Sequence, residues 1–445
     1  MINIQMLVFS GPLQNLLSRL PCFALYIDPG TGSMLFTILL AVIGTSYYSL
    51  RMLFLKLRFR LSSGKVEVSG DMLDFVIFSD DKRYWSVFKP ICTEMTRRGR
   101  KVHYFTADTE DPVLSYENEL VDAEFIGAGD KAYARLNLLQ AKVVLATTPG
   151  LDVYQWRRSP KVKYYVHLPH AASEVVLYRM FGLDYYDAVL LSGEFQATDT
   201  RALEQLRHLP PKNLHLVGIP YMDEMKNRLL QAPPLPAKPR TVLLAPSWGQ
   251  SAIFGVYGGR IIAHLQATGC HVIVRPHPHS FIAESELMAE LMLEYPESEQ
   301  LEWNRDQDNF DVLRRADLLI SDFSGVVFDF ALVYDKPVIY TKPNIDLSVY
   351  DAWWLKKSLW TTTALPRLGL ELSESNLSQL DSLIEQALED PRFAAGREEV
   401  RQECWVFPGE GARRSVDFLL DKIDEFTDKV EEEDRKAAPC LLENF

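Results

Sequence analysis

One stretch limits the fold more than any other. Leu318-Leu319-Ile320 is an apolar run of strand type, and it ends in Ser321-Asp322-Phe323-Ser324-Gly325. An apolar-periodic helix begins after this loop, and Val338-Ile339-Tyr340 reads as the next strand. Strand, loop, helix and strand together form the repeating unit of a parallel sheet, because parallel strands need a crossover between them. The loop sets Ser321, Ser324 and Gly325 at a helix N-terminus. Unpaired backbone N–H groups and the positive end of the helix dipole suit a phosphate there. The plainer reading of Ser324 is a helix cap.

Two further strand ends lie upstream. His271-Val272-Ile273-Val274 runs into Arg275-Pro276-His277-Pro278. In a parallel sheet the strand C-termini open onto the ligand crevice. Arg275 there is suited to fork onto phosphate oxygens, and His277 to donate to a leaving phosphate. Pro276 and Pro278 fix the backbone around His277. Val242-Leu243-Leu244 runs into Ala245-Pro246-Ser247-Trp248 and reads as the first strand of the same half.

Taken in order, these pieces resemble the CDP-glycerol glycerophosphotransferases, the group of wall teichoic acid polymerases and primases. The motifs that carry the resemblance are Ala245-Pro246-Ser247-Trp248, Arg275-Pro276-His277-Pro278, and Ser321 to Phe330. Gly325 stands where the family has a second Ser. The likeness is good over about residues 240–345 and weak elsewhere. It implies two facing Rossmann-like α/β domains, the B-type glycosyltransferase architecture. It also implies a CDP-glycerol or related nucleotide donor in the C-terminal half and no required metal or other cofactor. Donor binding then falls to Ser247, Arg275, His277, Ser321, Asp322, Ser324 and Gly325.

The acceptor side must come from the N-terminal half. An apolar strand runs into His167-Leu168-Pro169-His170-Ala171-Ala172-Ser173. The family resemblance implies a catalytic His at this point, within a Trp-His-Gly-Thr-Pro-like motif. The Trp, Gly and Thr of that motif are missing here, so His167 and His170 both stand as the base. The small Ala171 and Ala172 beside His170 favour it. The plainer reading is a structural pair near a turn.

A net charge of −13 argues against a general nucleic-acid surface. Cys22, Cys92, Cys270, Cys404 and Cys440 are odd in number and lack metal-ligand spacing. That pattern points to a reducing compartment, without a disulfide framework or zinc site. Residues 29–50 contain no charged side chain and are largely apolar. A bilayer-spanning helix needs about 20 such residues. Arg51, Lys56, Arg58, Arg60 and Lys65 follow at once, while Arg19 alone precedes them. By the positive-inside rule the segment is a single-pass transmembrane helix in the cytoplasmic membrane, with the catalytic body in the cytoplasm. A cleaved signal peptide fits less well, because the basic cluster lies on the wrong side.

Beyond residue 65 the chain alternates strand and helix. Strands are expected at 73–78, 101–106, 142–147, 163–166, 188–191 and 214–217, forming an α/β acceptor domain over 66–230. Residues 231–239 are proline-rich and read as a linker. A nucleotide-donor domain is expected over 240–405, and a helix with an acidic tail over 406–445. Asp306-Gln307-Asp308 spells the metal-and-diphosphate motif of another transferase architecture, but it precedes an amphipathic run and reads better as a cap. Asp80-Asp81 reads as a loop pair.

The sequence therefore predicts a membrane-anchored transferase. The family resemblance implies that it would move glycerol phosphate from CDP-glycerol to a polymeric or lipid-linked cell-envelope acceptor, with no nucleic-acid partner. Two alternatives stay open: a nucleotide-sugar glycosyltransferase of the same fold, and a non-catalytic envelope scaffold.

Overall fold

The computed structural model describes residues 72–306, 308–322, 324–342 and 345–437. It contains two separate, fully parallel sheets. The first has strands β1 (Leu73–Ser79), β2 (Val102–Thr106), β3 (Val121–Phe125), β4 (Ala141–Ala146), β5 (Val162–His167), β6 (Ala188–Leu191) and β7 (Asn213–Leu216). Their spatial order is β3-β2-β1-β4-β5-β6-β7. The second has β8 (Thr241–Leu244), β9 (His271–Val274), β10 (Leu301–Trp303), β11 (Leu318–Ser321), β12 (Val338–Thr341) and β13 (Gly369–Leu372), in the order β10-β9-β8-β11-β12-β13.

The central strands are largely apolar because helices cover both faces. β4, β6, β8 and β12 are almost entirely buried. The helix Trp85–Arg97 shows how a covering element is written into the sequence. Val87, Phe88, Ile91, Cys92 and Met95 recur at helical spacing and form its buried stripe.

In both sheets the strand order reverses direction at one point. Chain progression runs outward from β1 on one side and from β4 on the other. In the second sheet the same switch falls between β8 and β11. Ligands of open α/β sheets bind at such points, beyond the strand C-termini. The expected strands are present, and the two sheets are not continuous with each other.

The halves share an apolar core. One buried cluster contains Phe75, Phe88 and Leu168 of the first half with Val327, Phe330 and Leu332 of the second. After β12 the chain returns to the first half, where Asp351 accepts from the backbone N–H of Phe181 at 2.8 Å and of Gly182 at 3.1 Å. Asp351 also pairs with Arg207, and both side chains are almost fully buried.

A second crossing leads to the C-terminal helix, Gly411–Ala437. Asp223 gathers its start by accepting from Trp405 Nε1, Gly409 N and Gly411 N at 2.7–2.9 Å. Gly218 lies beneath this crossing with φ +91°, and a Cβ there would sit 2.2 Å from the Val406 carbonyl oxygen. No side chain fits such a close approach. The helix then packs on the first half through Arg98–Asp417 and the Tyr164–Phe426 ring pair.

Among the described residues no helix is long and apolar enough to cross a membrane. The span expected at residues 29–50 lies outside the described residues.

Candidate active site

The second sheet's switch point brings together two of the three motifs. β8 ends in Ala245-Pro246-Ser247, and its neighbour β11 ends in Ser321-Asp322. Ser321 Oγ donates to the Ala245 carbonyl at 2.6 Å and is fully buried. The Asp322 carboxylate is also buried. It accepts from Ser247 N at 3.0 and 3.1 Å and from Ile253 N at 3.2 Å. Burial raises its pKa and these donors oppose the rise. The motif reading gives Ser321, Asp322 and Ser247 to the donor, but this bonding makes them the frame of the loop. Ser324 and Gly325 are left half-buried at the mouth of the following helix, Val326–Phe328.

That helix widens at once into a π-turn, Asp329–Val333. Such turns often mark functional positions. Asp329 accepts from Tyr221 Oη at 2.8 Å, and burial pushes its carboxyl up to about 6.

β9 presents Arg275 and His277. Arg275 turns toward β10: its Nη1 donates to Asn304 Oδ1 and its Nη2 to the Asp306 carbonyl at 2.7 Å. The sheet order puts β10 on the far side of β9 from β8 and β11. In this conformation Arg275 therefore braces the β10 loop and does not converge with Ser324. The reason is the acceptor pair on that loop, which takes the guanidinium fork.

His277 is half-buried. Its Nδ1 accepts from His279 N at 3.1 Å, so in the neutral ring the proton sits on Nε2. Burial, with a smaller contribution from Arg83, lowers its pKa to about 4. At neutral pH His277 is thus a neutral ring with an Nε2–H to donate.

The two candidate bases of the first half part company. His167, at the end of β5, is fully buried. Its Nε2 meets Tyr178 Oη at 3.1 Å, and its ring is packed edge-on against Tyr178 and Tyr186. Burial holds its pKa well below the ordinary value, and Nδ1 has no partner among the described residues. His167 is a fully buried core residue, and its environment favours His170 over it as the base.

His170 is half-buried. Its Nδ1 lies 3.1 Å from Thr147 Oγ1, at the end of β4, and its ring lies 5.0 Å from that of Tyr84. Burial and the nearby Arg83 lower its pKa to about 4, so it is neutral at pH 7. Nε2 makes no hydrogen bond among the described residues. When Nδ1–H donates to Thr147, Nε2 carries the free lone pair of a base.

The donor loop and the acceptor loop meet. A Cβ built on Gly325 would lie 3.5 Å from Ala171 Cβ, one residue from His170. The charge of Arg83 also reaches both His170 and His277. The sequence motifs do not single out Arg83 or Thr147, whereas Asp329 lies within the Ser321–Phe330 motif without a role assigned to it. The C-termini of β1 and β4 at the first switch point are the signal that points to Arg83 and Thr147. A cavity of about 560 Å³ opens elsewhere, lined by Glu194, Arg201, His215, Phe407 and Arg414 among others, and it holds none of these candidates. Chemistry, not cavity size, therefore locates the site. Among the described residues no cluster of His, Cys, Asp or Glu is arranged to hold a metal.

Residues 183–352 match the family described as CDP-Glycerol:Poly(glycerophosphate) glycerophosphotransferase. No curated protein is matched by sequence. Among solved structures the chain is similar to the wall teichoic acid polymerase TagF soaked with CDPG. That likeness has 13% identity and a TM-score of 0.52, covering 80% of this chain and 90% of that one. It is also similar to a UDP-GlcNAc 2-epimerase from Methanocaldococcus jannaschii in complex with UDP-GlcNAc and UDP, at 13% identity and a TM-score of 0.53 over 78% and 99%. At such identities the structural likenesses show the fold alone: α/β with two parallel sheets, consistent with two-domain glycosyltransferases. The family match is the more specific finding. It spans Ser247, Arg275, His277 and Ser321–Gly325, and it stops short of His170. Over residues 183–352 the chain is therefore similar to the CDP-glycerol glycerophosphotransferases.

Proposed function

We propose that this protein transfers glycerol phosphate from CDP-glycerol to a hydroxyl of a cell-envelope polymer or lipid-linked acceptor. The observation that carries this reading is the meeting of the two loops. The Ser324–Gly325 helix mouth, in the family-matched half, approaches Ala171, the neighbour of His170 in the other half, and His277 belongs to the same matched half. In the proposed reaction the donor diphosphate lies between His277 Nε2–H and the Ser324 hydroxyl. The acceptor hydroxyl comes from the side of His170. Its oxygen attacks the glycerol-bearing phosphorus as His170 Nε2 takes the proton. The bond from that phosphorus to the bridging oxygen breaks, and CMP leaves with the electron pair. Fixed hydrogen-bond donors stabilise the growing charge. Arg275 would reach the diphosphate only by releasing Asn304 and the Asp306 carbonyl.

The fold alone does not choose the donor, because the same architecture serves a nucleotide-sugar epimerase. The family match is what favours CDP-glycerol over a sugar nucleotide. Attachment to the cytoplasmic membrane through residues 29–50 belongs to the same proposal and rests on the apolar, uncharged sequence followed by a basic cluster. Incubation with CDP-glycerol and a panel of UDP-sugars tests the donor, with nucleotide release as the readout. Release of CMP from CDP-glycerol is expected. Release of UDP from a sugar nucleotide, with CDP-glycerol inert, would replace this reading with that of a glycosyltransferase.

A further inference from the structure

We propose that Arg83, in the first loop of the N-terminal half, contacts the phosphoryl group that is transferred. This deepens the proposed glycerophosphotransfer and rests on it. Arg83 follows β1, at the first sheet's switch point between β1 and β4. Its guanidinium is held in plane by a fork: Nε and Nη2 donate to the two oxygens of Asp81, each at 2.9 Å. Nη1 has no hydrogen-bond partner among the described residues, and the side chain is 54% exposed. The guanidinium carbon lies 5.9 Å from the ring centre of Tyr84, whose ring in turn packs against His170.

An exposed ion pair between close neighbours in a loop adds little stability. Holding the loop therefore explains little of this arrangement. What the pair does is fix a planar cation with one edge unused beside the Tyr84–His170 ring pair. Contact through the Tyr84 ring ties Arg83 to His170, and its positive charge opposes protonation of both His170 and His277. Those rings have other neighbours. His170 also faces Thr147, Tyr84, Tyr178 and His167, and His277 faces His279 and Asp81. Arg83 is the cation common to both.

The acceptor oxygen attacks on the His170 side and CMP departs on the His277 side. On this proposal Arg83 lies between them and faces the non-bridging oxygens of the phosphorus that changes partners. Its Nη1 donors supply charge there without taking a proton, and Asp81 keeps them aimed. Arg83 would then act on the terminal, glycerol-bearing phosphoryl of the donor and not on the CMP portion.

The test compares the full-length wild type with Arg83→Gln and Arg83→Lys, titrated with CDP-glycerol and separately with CMP. Charge-assisted bonds are worth about 1.5–3 kcal/mol, so Arg83→Gln should weaken CDP-glycerol binding by roughly 10- to 150-fold. CMP affinity should stay unchanged, and Arg83→Lys should fall between, since Lys keeps the charge and loses the fork. Unchanged CDP-glycerol affinity, or equal losses for both nucleotides, would overturn the assignment. Histidine-selective NMR titration without ligand reads the geometry on its own. In Arg83→Gln, His170 and His277 should titrate at higher pH than in the wild type. If neither moves, Arg83 does not lie between them. A wild type that binds neither nucleotide, with the histidine shifts as expected, would instead defeat the donor reading and remove Arg83's substrate while leaving its position intact.

Discussion

Gly325 and Ala171 face each other from opposite halves of the molecule, near enough that a Cβ on Gly325 would stand 3.5 Å from that of Ala171. This is ordinary van der Waals contact. Gly325 has φ −57° and ψ −23°, a backbone that any residue adopts. Gly325→Ala should therefore fold normally, with a stability change within about 1 kcal/mol and transfer activity retained. Gly325→Leu should wedge the loops apart and lower turnover while leaving the melting temperature close to that of the wild type. Full activity in the Leu variant would show that the loops need not meet.

His170 and His167 should separate cleanly by mutation. General-base catalysis contributes about 10²–10⁴-fold, so His170→Ala should lower turnover by that order with CDP-glycerol affinity intact. Its pKa of about 4 predicts activity that is flat through neutral pH and falls only on acidification toward that value. Replacing His167 should instead act on stability. Its folded pKa lies below the unfolded value near 6.5, so the unfolded chain binds more protons as pH drops. Stability from this residue is present above pH 6.5 and is lost as pH falls through the range below it. His167→Gln should reduce proton uptake on acid unfolding by about one. The check is the slope of unfolding free energy against pH.

Asp329 carries the opposite sign. Its carboxyl titrates at about 6 in the folded protein, against an ordinary value of 3.8, so the folded state binds the extra proton. Stability is greatest below about pH 4 and declines as pH rises through 6. Asp329→Asn keeps an acceptor for Tyr221 and removes the buried charge. It should stabilise the protein by about 1–3 kcal/mol at pH 8. The gain should vanish near pH 4. An equal effect at both pH values would mean that ionisation of Asp329 is not the cause.

The strap across the halves depends on Asp351 and Arg207. Removing one partner of a buried pair typically costs about 3–5 kcal/mol, since the other charge is left uncompensated. Asp351→Ala should destabilise by that amount in denaturant unfolding, with the backbone N–H groups of Phe181 and Gly182 also orphaned. Replacing both Arg207 and Asp351 by apolar residues should recover much of the loss.

The central strands are legible in the sequence because helices cover both faces and leave unbroken apolar runs such as Val242-Leu243-Leu244. β3 is not legible. Its residues, Val121-Asp122-Ala123-Glu124-Phe125, lie at the sheet edge and remain largely exposed, so no apolar run marks them. β10 and β13 are short edge strands and leave no signal for the same reason. The site motifs are visible, but the partners of their side chains are not. Nothing in the local sequence says that Ser321 is satisfied by Ala245, 76 residues away, or that Arg275 is drawn to Asn304. Arg83 is hidden for a related reason: its meaning comes from a switch point that only the strand order reveals.

Glycerophosphotransfer is tested most directly by calorimetric titration of the full-length protein in detergent with CDP-glycerol, CDP and UDP-sugars. Saturable binding of CDP-glycerol and CDP is predicted, with weaker binding of UDP-sugars. CDP-glycerol affinity should fall by roughly 10- to 150-fold in Arg275→Ala, whose guanidinium must leave Asn304 to hold the diphosphate. Binding of UDP-sugars with no response to CDP-glycerol or CDP would contradict a CDP-glycerol donor.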